Sequence, residues 1–160
     1  MIENAASEFA AILPDLLPLV LAWAEETSRI MLRRGLPLDA RGIKLARAVG
    51  VAHPERIRIL TVPHVPPPED PELRQLALEQ NLIGPRTRGL TLGYGIFIVE
   101  GQMDSGLLSH ECRHVHQVEV AGSLDVFLPK YLTQIAEFTY DHAPYELDAR
   151  AHELPFWPNE

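Results

Sequence analysis

Histidines at positions 110 and 114 bracket a glutamate in His110-Glu111-Cys112-Arg113-His114, and this pattern restricts the fold of everything around it. Residues four apart on an α-helix face the same way, so the two imidazoles of an H-E-x-x-H segment reach one spot only if the segment is helical. There they can share a tetrahedral Zn²⁺, with Glu111 turned beside the ion as a base for a bound water. The flanking sequence agrees with a helix. Leu107, Leu108, Cys112, Val115 and Val118 recur at helical spacing and form one buried stripe, which leaves His110, His114 and Gln117 along an adjacent edge. Asp104 or Ser105 supplies an N-cap, Gly106 is tolerated in the first turn, and Gly122 stands where such a helix stops. The predicted helix runs from about 104 to 121.

A catalytic zinc takes three protein ligands and keeps one position open, so a third donor must come from elsewhere in the chain. The H-E-x-x-H-x-x-G-x-x-H extension is absent, because Gln117 and Val120 stand in its glycine and histidine positions. The one cysteine, Cys112, lies inside the motif and is no upstream ligand. A downstream carboxylate remains. Glu146, in His142-Ala143-Pro144-Tyr145-Glu146, is best placed: proline favours the first helical position, so Pro144 opens a helix with Glu146 in its first turn. Arg150, one turn on, either holds that carboxylate or pairs with it on a solvated face. The rivals are Glu119, Glu137, Asp141 and His142. Glu119 lies nine residues beyond His110, about 180° away around a helix; Asp141 and His142 stay in reserve.

Together these residues resemble a known family, the single-domain zinc metallopeptidases of the gluzincin type, whose minimal members join H-E-x-x-H to a Pro-x-Glu-x-x-Ala-like helix. The likeness covers roughly residues 90 to 153. It implies His110, His114 and Glu146 as ligands of Zn²⁺, Glu111 as general base, and a peptide or unfolded protein as substrate. Zinc acidifies its water and polarises the scissile carbonyl, so Glu111 has only to take the proton and pass it to the leaving amine. A Tyr or His near the third-ligand helix often stabilises the oxyanion in that family, and Tyr140, His142 and Tyr145 all qualify. Its members also bind extended substrate along an edge strand that precedes the active-site helix. Leu90 to Val99, rich in β-branched and aromatic residues, is the expected strand, with Gly93 and Gly95 allowing close backbone approach or marking a bulge. Two positions depart from the family pattern: Arg113 replaces an uncharged residue and His116 an apolar one.

At 160 residues and 46% hydrophobic content the chain is expected to form one domain, 1–160, with a helical N-terminal part (1–50) packed on the metal-site core (90–153). Fourteen lysines and arginines against 22 acids give a net charge of −8, which disfavours nucleic acid and anionic membrane as partners and attracts basic peptides. A single cysteine rules out an intrachain disulfide and suits a reducing compartment. Glu3 and Glu8 occupy positions where a secretory leader carries positive charge, so the expected location is cytoplasmic.

The apolar run from Ala10 to Ala24 is too short and too interrupted for a bilayer span, and no membrane association is expected. It reads as a buried helix that starts near Pro14 or Pro18 and stops at Gly35. Asp39 caps a short helix through Arg47 that ends at Gly50, with Arg41, Lys44 and Arg47 as a solvated stripe. Arg56 to Val62 alternates like a half-exposed strand, the prolines from Pro63 to Pro71 make a rigid connection, and Glu72 to Gln80 is helical. Arg86 and Arg88 sit in a polar turn, a solvated loop or the border of the substrate channel, and the C-terminal aromatics should pack back on the domain. The expected fold is α+β and zincin-like, with a small, mainly antiparallel sheet, an active-site helix and a third-ligand helix. The leading expectation is a zinc metallopeptidase; the alternative is a zincin-shaped module that binds peptide or protein without cutting it, against which the presence of Glu111 argues.

Overall fold

A glycine with positive φ decides how the sheet is built. The expected strand over 90–99 is a hairpin of two strands, β3 (Gly89–Leu92) and β4 (Gly95–Val99), because Gly93 turns the chain back at φ +68. Leu92 pairs with Gly95, so the connection is only two residues long. Tyr94 has no positive φ, which leaves glycine at the first central position, where a II′ hairpin turn requires it. A computed structural model describes the backbone over residues 2–159 and side chains over residues 8–159, so the Glu3 side chain lies outside the described residues.

The remaining strands are β1 (Leu36–Pro37) and β2 (Arg58–Val62), and the order across the sheet is β1-β2-β4-β3. The expectation of a mainly antiparallel sheet needs refinement. The outer pairings are antiparallel, but the central one, Arg58 with Gly95 through Val62 with Val99, is parallel, so the sheet is mixed. Burial explains where the parallel pair sits. A parallel pairing is found where both faces are covered, and along β4 the side chains alternate between two apolar clusters. Ile96 and Ile98 join Leu45, Val49, Leu108, Cys112 and Val115 on one side; Phe97 joins Leu13, Met31, Leu132 and Ile135 on the other.

Six α-helices cover these two faces among the described residues. On the first side lie α2 (Ala40–Ala48), capped by Asp39, and α4 (Ser105–Ala121), capped by Asp104 and ended by Gly122 at φ +106. On the second lie α1 (Ile2–Arg34) and α5 (Leu124–Phe138), with α3 (Pro71–Glu79), capped by Asp70, beyond them. The sixth, α6 (Pro144–Ala151), packs on α4 and α5.

Two expectations about helices fail. The N-terminal helix begins long before Pro14, and both Pro14 and Pro18 lie inside it. Each removes one N–H bond from the helix. Pro14, Pro18 and the preceding Ala10 are all exposed, so the carbonyls that lose their partners, those of Ala10 and Pro14, lie where water can reach them. Nor is this helix buried all round: Leu13 and Leu16 face the core, while Ile12 and Leu19 are exposed. The helix α5 has no counterpart in the sequence reading. Pro129 lies inside it, Ser123 caps it by accepting from Val126 N, and Leu128, Leu132 and Ile135 provide a regular buried face. At the C-terminus, Trp157 stacks under the Arg41 guanidinium at 3.8 Å, whereas Phe156 is exposed.

At Gly95 α1 lies directly against the sheet. A Cβ there would lie 2.6 Å from Met31 Cβ, and both residues are buried. Gly95→Ala is expected to lower folding stability by about 1–3 kcal/mol through overpacking, read as a drop in the urea midpoint with unchanged slope.

Candidate metal centre

The buried stripe of α4 fixes the azimuth of its two histidines. Leu108, Cys112 and Val115 are at most 2% exposed and lock the helix against β4 and α2, which turns His110 and His114 away from the core cluster toward α6. Their ring centroids are 4.9 Å apart, edge to face. Across from them Pro144 begins α6, and Glu146, 1% exposed, points its carboxylate back between the two rings. His114 Nε2 is 2.9 Å from Glu146 Oε2 and His110 Nε2 is 3.3 Å from Oε1. One donor atom from each of the three residues falls within 4.8 Å of the others, so His110, His114 and Glu146 can hold a metal ion.

Two further observations bear on the fit. Ligand atoms at about 2.0–2.1 Å from a tetrahedral zinc lie roughly 3.3 Å from one another, close to the two spacings above. Moreover, Glu146 Oε1 is buried without a hydrogen bond, since His110 Nε2 is near it but off hydrogen-bond geometry. A buried carboxylate oxygen without a partner is costly. Coordination to a cation would satisfy it.

The outer nitrogens of both rings are engaged in the way a metal ligand needs. His110 Nδ1 donates to Glu153 Oε1 at 2.9 Å, and His114 Nδ1 donates to Gln117 Oε1 at 2.8 Å. With a carboxylate and an amide oxygen as acceptors, the proton belongs on Nδ1 and the Nε2 lone pair is left for an ion. Gln117 is held in turn: its Nε2 donates to Asp148 Oδ2 and to the Tyr145 carbonyl. Arg113 then grips Asp148 with two hydrogen bonds, at 2.8 and 3.2 Å, and donates to the Val49 carbonyl. The unusual Arg113 is thus a clasp between α4, α6 and the end of α2, and His116 reinforces it by donating to the Gly50 carbonyl. The sequence places Gln117 on the helix edge of His110 and His114 but assigns no site role to it, nor to Tyr131, Asp148 or Glu153. Only Gln117, one turn from His114 on the same edge of the helix, carried a signal that could have found it.

Electrostatics reinforce the pairing. Burial works against charge on all three groups, but the proximity of opposite charges wins. Despite its desolvation, the Glu146 carboxyl is held far below the ordinary value of 4.5 by His110 and His114. His114, likewise buried, is raised from 6.5 to about 9 by Glu146 and, less strongly, by Glu111, and His110 is raised by the same two carboxylates. Cys112 takes no part, since burial pushes its thiol well above the ordinary value.

Glu111 belongs to the sheet side of the site. Its Oε2 accepts from the Thr91 hydroxyl at 2.6 Å, and a Cβ on Gly89 would stand 2.9 Å from its Oε1. Gly89 therefore leaves the room that the carboxylate fills. Val99 N donates to Arg88 O, and in an antiparallel register this turns the peptide groups of Gly89 and Thr91 away from β4 toward the open edge of β3.

His110, Glu111, His114 and Glu146 all line one cavity of about 1050 Å³, and so does Tyr140. Thr139, a β-branched residue at φ +67, ends α5 and turns the chain into Tyr140. Burial, then Glu146 and Glu111, raise the Tyr140 hydroxyl well above its ordinary pKa, so it keeps its proton. Of the other two aromatic candidates, His142 is exposed and does not line the cavity, and Tyr145 packs its ring on Phe127 at 4.9 Å. Tyr131 joins the site from α5, its hydroxyl donating to Glu146 Oε2 at 3.0 Å. Among the rival ligands, Glu119 accepts from Ala52 N, His53 N and the Tyr94 hydroxyl, and Glu137, Asp141 and His142 are exposed. Arg150 donates to the Asp141 carbonyl and not to Glu146.

No protein-family model, curated protein or solved structure matches this chain. What the centre can do follows from its donors and their surroundings. No helix among the described residues is long and apolar enough to cross a membrane.

Two outcomes follow. Glu146, with its lowered pKa, contributes stability above pH 4.5 and loses it in acid; His114, raised from 6.5 to about 9, contributes below pH 6.5 and loses it as the pH climbs through about 9. Metal-free protein should therefore draw most from this pair between pH 4.5 and 6.5 and less toward pH 9, which urea midpoints across that range will report. Separately, Gln117→Leu should weaken metal affinity by about 10–100-fold while the fold is kept, measured by competition with a chromogenic chelator.

Proposed function

We propose that this chain is a zinc-dependent metallopeptidase of the gluzincin type with a zincin-like fold. The observation that carries the reading is the buried Glu146 carboxylate directed between His110 and His114, with one oxygen unpartnered, in the same cavity as an anchored Glu111. Two neutral imidazoles and a carboxylate are the donor set of catalytic zinc sites that keep a position open for reaction, and a zinc ion held there would supply Lewis acidity toward water and a carbonyl.

The chain's own residues supply the rest. Glu111 is the general base: Thr91 fixes one of its carboxylate oxygens, and the other, beside Gly89, is free to take a proton and return it to the leaving amine. A Glu111 anchored in this way serves proton transfer and adds nothing to metal retention, which favours an enzyme over a binding module. Tyr140, protonated and lining the same cavity, is the donor to the developing oxyanion. Tyr131 holds Glu146 in place and keeps its hydroxyl occupied there. The outward peptide groups of Gly89 and Thr91 offer an extended peptide a β-type partner along the edge of the sheet beside Glu111.

The test combines elemental analysis with a peptide-library digest. About one zinc per chain is expected for the parent, with loss in Glu146→Ala. Glu111→Gln should keep its metal and lose at least about a hundredfold in kcat. A parent that takes up no zinc after reconstitution, or a Glu111→Gln variant as active as the parent, would overturn the reading.

A further inference from the structure

The same cavity that reaches the metal centre extends far beyond it, between α1, α3, β3 and α5. Its walls away from the centre are apolar: Leu13, Leu16 and Val20 of α1, Leu76 of α3, Leu90 of β3 and Leu132 of α5 face into it. Its volume is about 1050 Å³. A cavity of about 150 Å³ lined by such side chains already takes a benzene ring, so this one has room for several large side chains at once. It is continuous with His110, Glu111, His114 and Glu146, so whatever fills it is joined to the group that reacts. Charged residues line it as well, Arg86, Arg88 and Arg150 together with Asp104, Asp141 and Glu153, and Arg88 is already paired with Asp104. No single charge type dominates there, and selection falls to the apolar chamber.

Resting on the peptidase reading above, we infer that the substrate is an extended peptide carrying at least two bulky aliphatic or aromatic side chains close to the scissile bond, both lodged in the chamber walled by α1, α3 and α5. Such stretches are hidden inside folded proteins, so the cut chain is unfolded or apolar by nature. β3 aligns the two requirements. Gly89 and Thr91 face Glu111 on one side of the strand, and Leu90, on the other side, forms part of the chamber wall. A peptide laid along this edge, its own side chains alternating, would present one set to the chamber and leave its backbone beside Glu111.

The chamber can be read without hydrolysis. Zinc-loaded full-length protein is titrated with acetohydroxamate, which engages the metal alone, and then with the hydroxamates of acetyl-glycine, acetyl-leucine and acetyl-leucyl-glycyl-leucine, whose two leucines fall on the same side of an extended chain. A gain of about a hundredfold is expected from glycine to leucine and about tenfold more for the second leucine. Ala77→Phe, which fills the chamber from α3, should abolish most of both gains and leave acetohydroxamate binding unchanged; Leu90→Phe serves in its place if the first variant does not fold. In metal-free protein, apolar peptides should shift the emission of Trp23, which lines the chamber, and Trp23→Phe should remove that shift while Trp157 remains. Equal affinity along the series, or gains that survive both fillings, would overturn the chamber assignment and leave the peptidase reading intact. Failure of acetohydroxamate itself to bind would overturn the metal reading, and the substrate assignment with it.

Discussion

A carboxylate with 1% of its surface exposed has to be answered by positive charge, and in this molecule that requirement falls on Glu146. Moving an ion of that size out of water costs several kcal/mol even after relaxation, about as much as the net stability of a small domain can spare. Two imidazoles beside it and a tyrosine hydroxyl on Oε2 are the compensation. Each of these contacts ties a different stretch of chain to the same point: α4 through the histidines, α5 through Tyr131, α6 through Glu146 itself. The packing of three helices is thus organised around one buried charge, and the charge is tolerable only while all three are in place.

The clasp formed by Arg113, Asp148 and Gln117 has the same logic at lower stakes. It is partly exposed and contributes little as an isolated ion pair. Its weight lies in orientation. A planar guanidinium gripping a carboxylate with two bonds, which in turn accepts from the amide that holds His114, leaves that ring few ways to rotate.

How much of this the sequence displayed depends on whether the signal was local. The histidine spacing, the caps at Asp39 and Asp104, the glycine stops at Gly50 and Gly122 and the proline before Glu146 are decided by a few neighbouring residues, and the structure follows them. The parallel pairing of β2 with β4 joins segments far apart in sequence and leaves no local trace. The hairpin at Gly93 was masked by an apolar run that continues on both sides of the turn, and α5 by the proline within it. Both prolines of α1 misled for the same reason: a breaker acts through a lost hydrogen bond, and its cost depends on whether water can replace that bond, which only the folded surface reveals. In the site, the donors were legible because chemistry restricts which residue types can serve. Tyr131 and Glu153 were not, since a hydroxyl or carboxylate that supports a ligand can come from any element that happens to pass nearby.

The three donors and much of the wall that shapes the space beyond them come from different stretches of chain. The donors and the groups hydrogen-bonded to them occupy positions from His110 to Glu153, whereas much of the opposite wall comes from Leu13, Leu16, Val20 and Leu76. Substitutions on that wall can enlarge, narrow or reshape the cavity without touching a coordinating atom or its hydrogen bonds. A lineage carrying this fold could therefore reshape that space while its three donors stay constant, and descendants with the same donors need share little of the sequence before residue 89.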